Sequence, residues 1–244
     1  MKHPEKSDSL KLYSLKTGRA AIIIVLAALV SISNIACGGG GGGGGGAVVD
    51  PINNTEAAIK LNIGLNALNG ATPDYATAKS QLSQAINAPD ATIEQKTTAY
   101  SALGWANIKS SAGVSDIDQA ISSFSEAINN QSQQGQISTA VTQAYVGRSV
   151  SQIIKDSAAI ASAIKDLDDA GFSNPETQYR EDVIKTGVTT PQIRGYKAFL
   201  HLIRNESADT QLFNDNYNKL KSGAGSDKNA LLMINALDIM LKDN

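Results

Sequence analysis

Cysteine is almost missing from this chain: Cys37 is the only one among 244 residues. Neither a disulfide framework nor a thiolate zinc site can therefore support the fold. Histidine is nearly as scarce, with only His3 and His201. There is no excess of positive charge either, with 21 Lys and Arg against 23 Asp and Glu; five of the basic and two of the acidic residues lie in 1–36, so the remainder carries a formal charge near −5. The basic footprint that nucleic-acid binding requires is absent. Aromatic residues make up 5% of the chain. Beyond the first 50 residues few stretches alternate β-branched and polar residues as strands do, whereas apolar residues recur at spacings of three and four. That spacing predicts helix throughout.

What is plentiful near the start is basic charge, then apolar side chains, then glycine. Lys2, Lys6, Lys11, Lys16 and Arg19 precede the run Ala20 to Ala36, which is broken only by Ser31, Ser33 and Asn34. A basic region, an apolar region and small residues in that order read as an export signal, and the run sits at the lower limit of the roughly 17 to 25 residues that span hydrocarbon. Residues 1–36 are read as a processed leader, not a retained anchor. Cys37 is followed by nine glycines, Gly38 to Gly46. Glycine offers no side chain to bury and loses the most backbone freedom on ordering, so 37–52 reads as a flexible tether with a reach on the order of 20 Å.

Ile35, Ala36 and Cys37 together resemble the lipobox of bacterial lipoproteins, with Asn34 where that pattern prefers leucine. The resemblance implies acylation of Cys37, which becomes the new N-terminus. Two or three acyl chains hold a protein stably on a bilayer where one does not. With Gly38 in place of an aspartate, it further implies the outer membrane, facing the periplasm.

Three segments after the tether superpose, starting at Gly64, Gly104 and Gly147. Their second halves share an A-x3-[LF]-x2-A triplet: Ala78, Leu82, Ala85; Ala120, Phe124, Ala127; Ala163, Leu167, Ala170. A regular period of about 42 residues indicates an array of helix pairs, in which small residues mark the crossing and Leu or Phe fills the space beside it. One pair leaves an apolar face bare, so neighbours must stack and a cap must close the row. The pattern resembles the tetratricopeptide repeat, most closely at Tyr100, Leu103, Gly104, Ala120, Phe124 and Ala127, although the usual period is 34 and Asn107 replaces an aromatic. The expected fold is all-α, an antiparallel helix-pair solenoid of about ten helices over 53–244. Clear repeats cover 53–171, with a degenerate repeat and cap over 172–244. Capping-box spacing at Asn53 with Glu56 and at Thr92 with Gln95, and prolines at positions 73, 175 and 191, place the helix starts. Four late helices are expected at Pro175–Thr186, Pro191–Asn205, Ala208–Ser222 and Asp227–Lys242, the last serving as the cap. Phe213, Tyr217 and Leu220 echo the triplet.

Chemistry is hard to find. His201, in an apolar helix, reads as a packed residue, since neither a nucleophile motif nor a ligand pair accompanies it. Asp166, Asp168 and Asp169 lack the alternating ligands of a calcium loop and read as a solvated face. The glycine run lacks the lysine and serine of a phosphate loop. No catalytic residue, metal or cofactor is assigned. In tetratricopeptide arrays the first helix of each pair lines an inner groove; carried onto this chain, that places Thr98, Ser101 and Trp105 beside Ala144, Arg148 and Gln152. Trp105 either faces that groove, where Trp and Arg favour binding, or fills core between repeats. The resulting expectation is a membrane-anchored, non-enzymatic adaptor or assembly factor for an unidentified protein or peptide client, in the bacterial envelope. The rival readings are a solute-binding helical lipoprotein serving a transporter, and an envelope hydrolase.

Overall fold

A computed structural model describes residues 55–131 and 138–242. The leader, Cys37, the glycine tether and Asn53 lie outside them. All the regular structure among the described residues is helical: nine α-helices and one π turn. They fall into two compact units, 55–187 and 188–242.

The first unit holds α1 (Glu56–Asn69), α2 (Tyr75–Asn87), α3 (Ile93–Lys109), α4 (Val114–Gln131), α5 (Thr139–Lys155) and α6 (Ile160–Leu167). Side chains set most of the helix starts. Thr55 accepts the Ala58 N–H, Asp74 accepts that of Thr77, and Thr92 and Gln95 form the complete capping box foreseen for α3. Each such cap is worth about 1 kcal/mol. The first turn of α1 has a second partner, since Asp90 in the α2–α3 loop accepts the N–H groups of Glu56 at 2.7 Å and Ala57 at 3.1 Å. This carboxylate shares the first turn of α1 with Thr55. Asp74, not Pro73, opens α2.

Each helix packs on the next along the chain, and α1 also touches α3 as α3 touches α5. The crossings are built as the spacing implies. All nine triplet residues are buried, none more than 4% exposed. A methyl group on Gly64 would lie 2.7 Å from Leu82 Cγ; on Gly104, 2.5 Å from Phe124 Cε1; on Gly147, 2.2 Å from Phe124 Cζ. The Phe124 ring is thus enclosed by glycines of two helices, α3 and α5, and its burial contributes about 1.5–3 kcal/mol. Trp105 meets it edge-on, with ring centroids 5.8 Å apart.

After α6 the chain widens into a π turn, Asp168–Phe172, inside which Gly171 takes φ +93°. The helix expected over Pro175–Thr186 does not form; the segment is an irregular loop that bends at 182–183. Long-range partners, described below, satisfy its backbone in place of a helical ladder. Gly187, at φ +76°, ends it.

The second unit packs α7 (Thr190–Arg204), α8 (Asp209–Gly223) and α9 (Lys228–Lys242) against one another, within a few residues of the expected bounds. It repeats the small-against-large device: a methyl on Gly195 would meet Leu220 Cδ2 at 3.0 Å. Phe213 and Tyr217 stack with centroids 5.2 Å apart and are buried with Leu220. Against α7 and α8, α9 buries Ala230, Met233, Ala236 and Leu237, but Leu231, Leu232, Ile239 and Leu241 stay exposed. That outer face is more apolar than a closing cap requires.

Candidate functional site

Of the two places left open for Trp105 by sequence, groove and core, it takes the core. It is 3% exposed, and its indole N–H donates to the Gln143 main-chain oxygen at 3.1 Å, tying α3 to α5. Trp105 is a core residue here, because the position after Gly104 points at the neighbouring helix pair. Ser101 and Ala144 are fully buried too, and the Ser101 hydroxyl has no hydrogen-bond partner. Thr98 and Gln152 are half-buried, with the Gln152 Oε1 enclosed and unpaired.

Arg148 also faces packing. Its guanidinium grips Asp166 through two bonds, Nε to Oδ2 at 2.9 Å and Nη2 to Oδ1 at 2.7 Å, reaches Ser125 Oγ at 3.3 Å, and lies over the Tyr145 ring. It thereby joins α5 to α6 and α4. Asp166 is 3% exposed, which corrects its placement on a solvated face; Asp169 does pair outward, with Lys165. No common surface gathers Thr98, Ser101, Trp105, Arg148 and Gln152.

A different set of residues converges on one feature, the irregular segment after the π turn. Asn69, the last residue of α1, donates from Nδ2 to the Val183 carbonyl at 3.0 Å and accepts the Lys185 N–H at 2.9 Å. Gln143 on α5 donates from Nε2 to the carbonyls of Arg180 at 3.0 Å and Ile184 at 2.9 Å. Lys109, the last residue of α3, donates to the Lys185 carbonyl at 2.7 Å. Thus α1, α3 and α5 each send a side chain to the main chain of the same short stretch.

Apolar anchors accompany this grip. Ile184 is fully buried and Tyr179 is 9% exposed, whereas Arg180 and Asp182 pair with each other in solvent. The Tyr179 hydroxyl donates to Thr186 Oγ1 at 3.2 Å; Glu181 folds back to accept from the Thr186 hydroxyl and the Gly187 N–H. Burial pushes the Tyr179 phenol far above its usual range, so it stays a neutral donor. Burial also lowers the Lys109 ammonium, opposed by the Glu181 carboxylate.

Comparison with known families, curated proteins and solved structures finds no match.

In the second unit His201 is 1% exposed and its Nδ1 lies 2.6 Å from Asp209 Oδ1. Asp209 also receives Arg204 and the Glu206 N–H at 2.7 Å, so the cluster fastens the α7–α8 connection. Burial lowers the His201 imidazole, opposed by Asp209, while the Arg204 guanidinium holds the Asp209 carboxyl well below the usual carboxylate range. Among the described residues no group of three or more His, Cys, Asp or Glu is placed to hold a metal, and no helix is long and apolar enough to cross a membrane.

Proposed function

We infer that this chain is a non-enzymatic adaptor, a tetratricopeptide-like helix array on a lipid anchor in the bacterial envelope, which captures a protein or peptide segment. One observation carries the reading: Asn69, Lys109 and Gln143 hold a non-helical stretch of main chain across α1, α3 and α5. A face that already holds one stretch of main chain has the donors and acceptors to hold another. The crossings at Gly64, Gly104 and Gly147, and the contacts of α1 with α3 and of α3 with α5, support the repeat assignment. The anchor and the outer-membrane location rest on residues 1–52, where Cys37 would carry the acyl chains.

The test is crosslinking in cells with the tagged full chain, followed by identification of the captured protein, beside a Cys37→Ser variant. A discrete partner held by the native chain supports the adaptor; nothing above an untagged control refutes it. Cys37→Ser should abolish acyl labelling and detergent-dependent fractionation. Unchanged labelling would remove the lipid anchor from the reading.

A further inference from the structure

At 3.6 residues per turn, Lys228, Leu231, Leu232, Asn235, Ile239 and Lys242 fall on one stripe of α9, opposite the buried Met233 and Leu237. Leu231, Leu232 and Ile239 are 43%, 52% and 58% exposed. They surround Asn235, one turn away on either side.

The charges on this stripe are all positive. Lys228 and Lys242 stand at its two ends, seven residues either side of Asn235, and both are exposed. The one carboxylate within α9, that of Asp238, is engaged by α8: the Tyr217 hydroxyl donates to it and Lys221 Nζ stands 3.8 Å away. Asp227, just before the helix, accepts from Thr189 and Gln192 at the start of α7 and from the N–H groups of Asn229 and Ala230. Beyond residue 36 the chain carries a formal charge near −5, so a stripe with lysines at both ends and its nearest carboxylates already engaged runs against the overall balance.

The lysines decide what covers the stripe. A second copy pairing along α9 about Asn235 sets Lys against Lys at both ends, in either direction. One helix about 22 Å long also offers far less than the roughly 1,200–2,000 Å² that a stable dimer buries. A lipid surface meets neither difficulty. It needs no matched counterpart, and anionic headgroups attract lysines whose stems snorkel past the apolar residues.

We propose that α9 is an interfacial helix lying in the headgroup region of an anionic bilayer, with Leu231, Leu232 and Ile239 inserted and Lys228 and Lys242 at the phosphates. Such helices sink about 5–10 Å, shallow enough to leave the Asn235 amide among polar partners. This goes beyond the adaptor reading, because the second unit gains a membrane contact separate from the acyl chains at Cys37. Acyl chains on a flexible tether limit only how far the protein strays from the bilayer. The α9 contact sets which way the second unit faces.

The experiment uses the full chain with Cys37→Ser, so that no acyl chain contributes, and Asn235→Cys carrying an environment-sensitive fluorophore. The fluorophore reports its own surroundings, whatever else holds the chain to a vesicle. On vesicles of phosphatidylethanolamine and phosphatidylglycerol its emission should shift to the blue and be quenched by lipids bearing a nitroxide near the headgroup. Leu231→Ser with Leu232→Ser should lower the docking equilibrium ten-fold or more. Lys228→Gln with Lys242→Gln, both at exposed positions, should lower it about five-fold per lysine on these vesicles and leave it unchanged on neutral phosphatidylcholine. Emission unchanged by vesicles would overturn the proposal. A blue shift that grows with protein concentration and escapes lipid quenching would give the stripe to a second copy and overturn it equally. Docking to neutral and anionic vesicles alike, insensitive to the lysines, would overturn the headgroup assignment. The adaptor reading fails on a different result, an absence of any crosslinked partner in cells, so the two can fall separately.

Discussion

Adding one methyl group at Gly147 tests the packing on which the first unit depends. In Gly147→Ala the new Cβ would lie 2.2 Å from Phe124 Cζ and 2.7 Å from both Cε atoms. Carbon atoms in ordinary contact are about 3.5–4.0 Å apart, so the ring must withdraw by more than about 1 Å. It has little room to do so: a methyl on Gly104 would lie only 2.5 Å from Phe124 Cε1, and Trp105 stands edge-on to the ring. Local propensity argues the other way, since Ala is favoured over Gly inside a helix by about 1 kcal/mol. Overpacking a rigid core costs about 1–3 kcal/mol, and enclosure from both sides puts this site at the upper end. The net expectation is a loss of about 2 kcal/mol, or roughly 4–8 °C in Tm for a chain of this size. Urea and thermal denaturation followed by far-UV circular dichroism would measure it. In a Phe124→Leu background the added methyl should cost at least about 1 kcal/mol less, the sign of direct contact between the two sites. If Gly147→Ala were as stable as the native chain or more so, the crossing would not be the close approach described, and the argument from the repeated glycines would be wrong.

Other outcomes follow from the same contacts. Trp105→Ala should cost about 3–5 kcal/mol, as expected for emptying a buried aromatic site; a cost below 1 kcal/mol by urea denaturation would return Trp105 to the surface. Asp90→Ala leaves two N–H groups of α1 without their partner and should cost about 1 kcal/mol, with hydrogen exchange accelerating first at Glu56 and Ala57. For pH, His201 has its folded pKa below the unfolded value of about 6.5. The folded state therefore resists protonation, and stability is fully present above about pH 6.5 and declines as pH falls below it. Asp209, likewise lowered, keeps its contribution above about pH 4 and loses it only under stronger acid. Between pH 7.5 and 5 the slope should thus come from His201, and His201→Gln should flatten it; parallel curves for the two proteins would assign the slope elsewhere.

How far the sequence could be read depends on whether the cause of a structure is local. The triplets at Ala78, Ala120 and Ala163 and the glycines that precede them are local periodicities, and they place both the helices and the crossings. Gly195 against Leu220 was legible on the same grounds but stands outside the period, and so was passed over. The groove residues failed for a different reason. Gln143 lies one position from Ala144, yet which way a side chain on a first helix points depends on the tilt between neighbouring pairs, and spacing does not encode that tilt. Arg148 looked like a groove residue until Asp166, 18 residues on, proved to be its partner. The stretch 175–186 is the clearest case. Nothing within it forbids a helix after Pro175. Its irregular path is held by Asn69, 114 residues away from Val183, and by Gln143, 41 from Ile184.

The Asp90 carboxylate carries a mechanical implication. Because it clasps the first two amides of α1 from the loop between α2 and α3, tension arriving through the preceding residues does not fall on one helix end alone. The load divides at that clasp, part entering α1 and part passing directly to the second pair, so peeling from the N-terminal side must break two attachments together. A chain pulled from that end should resist up to one sharp rupture, not fray turn by turn.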